Sequence, residues 1–141
     1  MTKQLIFSFT LLALSATASA QTAAKTFSKS FNSENKGTLN LELPGTVEVK
    51  EWDNPSIKIE INIALPAGNA SMLNELANVG RYNMMPKTQG DALLIQMPNM
   101  QKQVRIKGET LKEQLTFVAF VPKSMKTQPV NTTLTLTASA Q

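Results

Sequence analysis

The chain has 141 residues, 42% of them hydrophobic, a formal net charge of +4, and neither cysteine nor histidine. Without thiolates or imidazoles it lacks the usual ligands for zinc, copper, haem and iron–sulfur clusters, and no cofactor is expected. No disulfide can stabilise it, so the burial of apolar surface must.

Residues 1–20 have the layout of a secretory signal, with Lys3 in the basic region, an apolar run from Leu5 to Leu14 and Ala18-Ser19-Ala20 as the cleavage motif. The run is shorter than the roughly 20 residues of a membrane span, and no cysteine is available for a lipid anchor. Export with cleavage before Gln21 is predicted, to a bacterial periplasm or the cell surface, leaving no transmembrane segment in the mature chain. What remains suits one domain. Residues 21–36 read as a flexible N-terminal segment, 37–136 as a single β-rich domain and 137–141 as a frayed tail. Phe27 and Phe31, four apart, fit either a helical turn or a strand with one face in the core.

The dominant signal lies between Gly37 and Leu65. Leu39, Leu41, Leu43, Val47, Val49, Ile57, Ile59, Ile61, Ile63 and Leu65 all occupy odd positions, the period of two expected of strands that bury one face. Pro44-Gly45 has the order of a type II turn, with glycine at the positive-φ position. A two-residue hairpin there would set Leu43 against Thr46 and mix apolar with polar side chains on each face. Parity is kept by a three-residue loop, pairing Leu43 with Val47, or by an arch that carries the chain between two sheets. The loop from Trp52 to Ser56 likewise keeps parity if Val49 stands opposite Ile59.

A short helix over about 69–79 follows, capped by Asn69 or Ser71 and stopped by Gly80, with Met72, Leu73, Leu76 and Val79 as its inner stripe. Residues 81–85 read as extended, Pro86 to Gly90 as a turn, Asp91 to Met97 as a strand, and Val104 with Ile106 as a short strand. Gln114 to Val121 is apolar enough for a central strand buried on both faces. Val130, Leu134 and Leu136 suggest a last edge strand.

The search for chemistry finds no catalytic constellation. Asp53 and Asn54 near Glu51 form the one tight oxygen cluster, and an Asx turn accounts for it. Glu48 and Glu60 could serve as the two carboxylates of a hydrolase, but a solvated sheet face paired with Lys50 and Lys58 explains them as well. Charge is uneven: Glu42, Glu48, Glu51, Asp53 and Glu60 lie in the opening strands, and Lys102, Arg105, Lys107, Lys112, Lys123 and Lys126 in the last third. The basic patch lacks the interleaved aromatics of a nucleic-acid binder, so no nucleic acid is expected as partner. Tyr82 with Met84, Met85, Met97 and Met100 reads first as filling of the seam between helix and sheet, and Trp52 as a cap on the core. The other reading is a binding surface at Trp52 and Asp53, or at Tyr82, Met84 and Met85, where flexible side chains adapt to a partner.

The run from Gly37 to Ile61, containing P-G-T-V-E-V-K-E-W-D, together with V-G-R-Y-N and L-T-F-V-A-F-V-P, resembles the exported putative-adhesin, DUF4097-like β-rich proteins of Bacteroidetes. The resemblance implies a cell-envelope role and carries no catalytic residues with it. The fold expected is mainly β, a single-domain sandwich or short solenoid-like stack with one helix. The function expected is a non-enzymatic, adhesin-like or protein-interaction module whose partner is an envelope protein or glycan. Alternatives are a periplasmic carbohydrate- or lipid-binding module using Trp52 and the methionine seam, and a hydrolase using Glu48 or Glu60.

Overall fold

The computed structural model describes residues 22–130 and 133–136. The segment 37–65 supplies β2 (Thr38–Glu42), β3 (Thr46–Trp52) and β4 (Ser56–Leu65). Its ten odd-numbered apolar side chains are all buried, none more than 5% exposed. They line one interior between two sheets that a single hydrophobic cluster fills. The other strands are β1 (Ala23–Asn32), β5 (Met85–Gln89), β6 (Ala92–Gln96), β7 (Arg105–Ile106), β8 (Glu109–Thr110), β9 (Gln114–Pro122), β10 (Lys126–Pro129) and β11 (Thr133–Leu136). One sheet runs β1-β4-β9-β3-β11, the other β10-β2-β6-β5, and β7-β8 form a separate ribbon.

Pro44-Gly45 is an arch, one of the two forms that parity allows, and not a hairpin. β2 belongs to the four-stranded sheet and β3 to the five-stranded one. The same crossing recurs from β10 to β11, whose strands lie parallel and in register on β2 and β3. β6 and β9 stack on the other side, also parallel. The sandwich and the solenoid-like stack are therefore one object, a two-layer sandwich whose middle is a pile of arches.

Two details of this segment differ from expectation. Gly45 is not in the positive-φ region, which among the described glycines holds Gly80, Gly90 and Gly108. The chain turns through a Gly45 N–H to Leu43 carbonyl bond of 3.0 Å, closed around Pro44. Glycine is required by proximity: a Cβ at Gly45 would lie 2.5 Å from the carbonyl oxygen of Leu115. Second, β3 and β4 do not pair. β9 is inserted between them, so that Val49 and Ile59 both register with Ala119 from opposite sides. β9 is thus central, but only Phe117, Ala119, Val121 and the terminal Pro122 are buried. Val118 and Phe120 are half-buried on the outer face.

The N-terminal segment is a strand rather than a flexible arm. β1 pairs antiparallel with β4 along its whole length, and Phe31 is buried. The helix α1 (Ala70–Asn78) lies against β1. Asn69 caps it, its side chain accepting the Met72 N–H at 2.8 Å. Leu73 is buried and Met72, Leu76 and Ala77 pack on the core. Val79, expected on the inner stripe, is 77% exposed. It is the C-cap, beyond the last helical turn, and Gly80 at φ 78° redirects the chain there.

Of the Pro86–Gly90 turn expected from sequence, residues 86–89 belong instead to β5, which starts at Met85. The missing proline N–H is tolerated because β5 is an edge strand. The actual turn is Gly90-Asp91, with Gly90 at φ 59°. The export signal at 1–20 and the tail at 137–141 lie outside the described residues. Among the described residues no helix is long and apolar enough to cross a membrane.

The close approach at the arch yields a test. Gly45→Ala should lower unfolding free energy by about 1–3 kcal/mol through overpacking, read from the midpoint of a urea transition. A midpoint equal to that of the wild type would contradict the contact with Leu115.

Candidate functional site

The outer face of the five-stranded sheet carries the even-numbered side chains of β1, β4, β9 and β3. Register sets them in rows. Ser30, Lys58, Phe120 and Lys50 form one, Ser28, Glu60, Val118 and Glu48 the next, and Thr26, Asn62, Thr116 and Thr46 a third. Trp52, at the end of β3, leans over Phe120 with ring centroids 5.4 Å apart. Its indole N–H donates to the Ser56 carbonyl at 2.8 Å, which fixes the ring across the β3–β4 loop. The Lys58 ammonium sits 4.4 Å from the Phe120 ring centre and 5.7 Å from that of Trp52, and Lys50 approaches Phe120 from the other side at 5.9 Å. Aromatic faces attract cations in this range. Trp52 is therefore not a plug at the end of the core; it covers the solvent side of β9.

The two candidate carboxylates are in this face but not together. Glu48 and Glu60 flank Val118 from opposite neighbouring strands. Each meets a lysine of its own strand, Glu60 with Lys58 at 2.9 Å and Glu48 with Lys50 at 3.7 Å. Cross-row pairing of this kind stabilises a solvated sheet face modestly.

Beside Trp52, Asp53 accepts from Lys123 at 2.9 Å across the β9–β10 turn. The Asp53 carboxylate raises the Lys123 ammonium pKa through that hydrogen bond and its charge. Asn54 accepts from the Ser56 N–H at 2.9 Å and from its hydroxyl at 2.7 Å, the geometry of an Asx turn. Among the described residues no group of three or more acidic side chains is placed to hold a metal ion.

Tyr82 and Met84 follow the core-filling reading and not the surface one. Tyr82 and Met84 are buried at 6% and 3% exposure, and Met97 is buried too, while Met85 alone stands out at 51%. Tyr82 stacks on Phe27 of β1 at 6.3 Å, and Lys29 donates to the Met84 carbonyl at 2.9 Å. Tyr82 and Met84 fill the seam between α1 and β1 beside Phe27 and Ala77, whereas Met97 lies by Leu43 and Pro44.

What sequence reasoning missed is the polar centre beneath that seam. Arg81 is 8% exposed and the Glu113 side chain 5%. The guanidinium donates through Nη2 to Glu113 Oε2 at 2.6 Å and through Nε to Oε1 at 3.1 Å. Its Nη1 donates to the carbonyls of Asn99 and Lys102 at 2.9 and 2.7 Å. The Tyr82 hydroxyl donates to Glu113 Oε1 at 2.8 Å. This clasp ties the helix end to the excursion between β6 and β9. Nothing in residue spacing signals it, because Arg81 and Glu113 are 32 positions apart. Its donors and acceptors are directed at one another, so the cluster acts as a structural pin.

No family model matches this chain, and no curated protein does. Among solved structures, it is similar to a putative adhesin from Bacteroides fragilis NCTC 9343, with a TM-score of 0.34 and 8% identity, covering 75% of this chain and 41% of the other. The chain thus spans less than half the length of that protein. By its own geometry the chain is a mainly-β sandwich of stacked arches with one helix.

Two measurements follow from the clasp. Glu113→Ala leaves a buried guanidinium without its partner and should cost about 3–5 kcal/mol, seen in urea denaturation; an effect below 1 kcal/mol, the range of exposed pairs, would contradict burial. Burial pushes the Tyr82 phenol well above its ordinary value, and the bond to Glu113 and its charge push it further, with Arg81 opposing. The folded chain therefore keeps a proton that the unfolded chain releases near pH 10. This contribution to stability is complete below that pH and is lost as pH rises above it. Tyr82 is the one tyrosine in the sequence, so ultraviolet phenolate absorbance should stay absent above pH 10 in folded protein and appear on unfolding.

Proposed function

We propose that this chain is a non-enzymatic, adhesin-like interaction module of the bacterial cell envelope, exported through residues 1–20. On this reading it makes contact through the outer face of its five-stranded sheet. The observation that carries the proposal is the Trp52–Phe120 pair held on that face between Lys50 and Lys58. Aromatic side chains with restrained rotamers bury large area at low entropic cost, which is why such residues anchor interfaces. The surrounding rows of Thr, Ser, Asn, Glu and Lys supply donors and acceptors for a protein or glycan partner. A hydrolase would need its two carboxylates across a substrate cleft, whereas Glu48 and Glu60 each engage a lysine on a sheet face. The lipid-binding alternative loses its methionine half, since Met84 and Met97 are buried; a glycan stacked on Trp52 remains the second reading.

The test uses the single tryptophan. Wild type, Trp52→Ala and Phe120→Ala are compared for binding to immobilised envelope fractions and to a glycan panel, with Trp52 emission recorded for wild type. Binding should weaken at least about 10-fold in both variants, the loss of a hot-spot contact above 1.4 kcal/mol, while circular dichroism stays unchanged. Undiminished binding by both variants would overturn the contact face. Turnover of glycoside or ester substrates that disappears in Glu60→Gln or Glu48→Gln would overturn the non-enzymatic reading.

A further inference from the structure

Between β6 and β9 the chain leaves both sheets. It makes a 3₁₀ turn over Pro98–Gln101 and then the β7–β8 ribbon, with Lys107 and Gly108 at positive φ forming the tip. Lys102, Arg105, Lys107 and Lys112 project from this excursion, and all four are exposed. Glu109 is the one carboxylate on the ribbon, since Glu113 is buried against Arg81. Residues 22–130 contain thirteen Lys or Arg and ten Asp or Glu. The excursion, residues 97–113, holds four Lys or Arg and two acids, so two of the three net positive charges of residues 22–130 lie on it, and Glu113 is engaged by Arg81. Elsewhere Lys50, Lys58 and Lys123 pair with Glu48, Glu60 and Asp53, while Lys25, Lys29 and Lys36 donate to Asn74 and to the carbonyls of Met84 and Gly90.

The excursion is also held in place. Arg81 fixes the carbonyls of Asn99 and Lys102, Asn99 donates to the Gly80 carbonyl at 2.9 Å, and Leu111 donates to Val104 at 2.8 Å. The bond to Gly80 sets Val79, the most exposed large apolar side chain among the described residues at 77%, beside the root of the excursion.

We propose that this excursion is an electrostatic docking surface for an anionic phospholipid bilayer. Clustered Lys and Arg are drawn to the negative surface potential of such a bilayer, and a pre-ordered ribbon presents them without a folding cost on contact. An adjacent exposed apolar side chain suits the boundary between headgroups and acyl chains. Between residues 83 and 116 there is no aromatic residue, so the platform on which nucleic-acid bases stack is missing. The proposal concerns a different surface from the Trp52–Phe120 face and does not depend on it.

Sedimentation of the purified protein with phosphatidylcholine vesicles, and with vesicles also containing phosphatidylglycerol, tests the idea, alongside K102Q/R105Q/K107Q/K112Q and a control K36Q/K87Q/K123Q/K126Q that removes equal charge elsewhere. Binding should require phosphatidylglycerol, weaken steeply as added salt shortens the Debye length, and fall at least about 100-fold in the ribbon variant while the control retains most of it. Equal binding to both vesicle types, no binding to either, or equal loss in the two variants would overturn the proposal. Wild-type protein captured by a soluble acidic polysaccharide but not by vesicles would also overturn it, reassigning the ribbon to that polymer. The vesicle and salt dependence of wild type stand even if a variant fails to fold.

Discussion

Ala119 lies between Val49 and Ile59, and the architecture depends on that insertion. β3 and β4 are adjacent in sequence and share one apolar parity, so each needs a neighbour that continues the same buried face. β9 provides it through Phe117, Ala119 and Val121. It pairs parallel with β3 and antiparallel with β4, and the loop from Trp52 to Ser56 is free to span a strand instead of closing a hairpin. Once β3 belongs to this sheet, Pro44-Gly45 must cross to the other layer, because Leu39, Leu41 and Leu43 face the same interior from the opposite side. β10 and β11 then stack on β2 and β3 with matched register.

The polar pieces follow from how the sandwich closes. The smaller sheet ends at β5, while β1 lies at the edge of the larger one. The helix lies along β1, and Lys25 and Lys29 of that strand reach Asn74 and the Met84 carbonyl. Crossing from β6 to β9 takes the chain past the helix end, where the Asn99 carbonyl accepts the Lys102 N–H at 3.4 Å and the Lys102 carbonyl lies within reach of Arg81. Arg81 donates to both carbonyls, and Glu113 balances its charge at a bidentate fork. A buried ion pair is thus the local cost of connecting two layers through an irregular segment. It leaves the basic side chains of that segment outside, and the outer sheet face free to carry the Trp52–Phe120 pair.

Much of this was legible in the residues. Alternation over 39–65 identified the core, parity disfavoured a two-residue hairpin at Pro44-Gly45, and Asn69 or Ser71 marked the helix start. Strand partners were not legible, because odd parity at Val49 and Ile59 is equally satisfied by direct pairing and by an inserted strand. Pro86 read as a turn because an edge strand, where proline is harmless, is defined only by the assembled sheet. Gly45 suggested positive φ when the actual demand was space beside Leu115. The candidate surface was half legible: Trp52 is local to its turn, whereas Phe120 joins it only through the β9 register. Arg81 and Glu113 could not be foreseen, since their partnership is set by tertiary packing alone.

The inserted position of β9 is the point on which the rest turns, and backbone nuclear Overhauser effects in solution test it directly. Cross-strand contacts from Ala119 to both Val49 and Ile59, with none between Val49 and Ile59 as a directly bonded antiparallel pair, are the result predicted here. Direct β3–β4 hairpin contacts, with β9 outside them, would contradict the arch stack and the face built upon it.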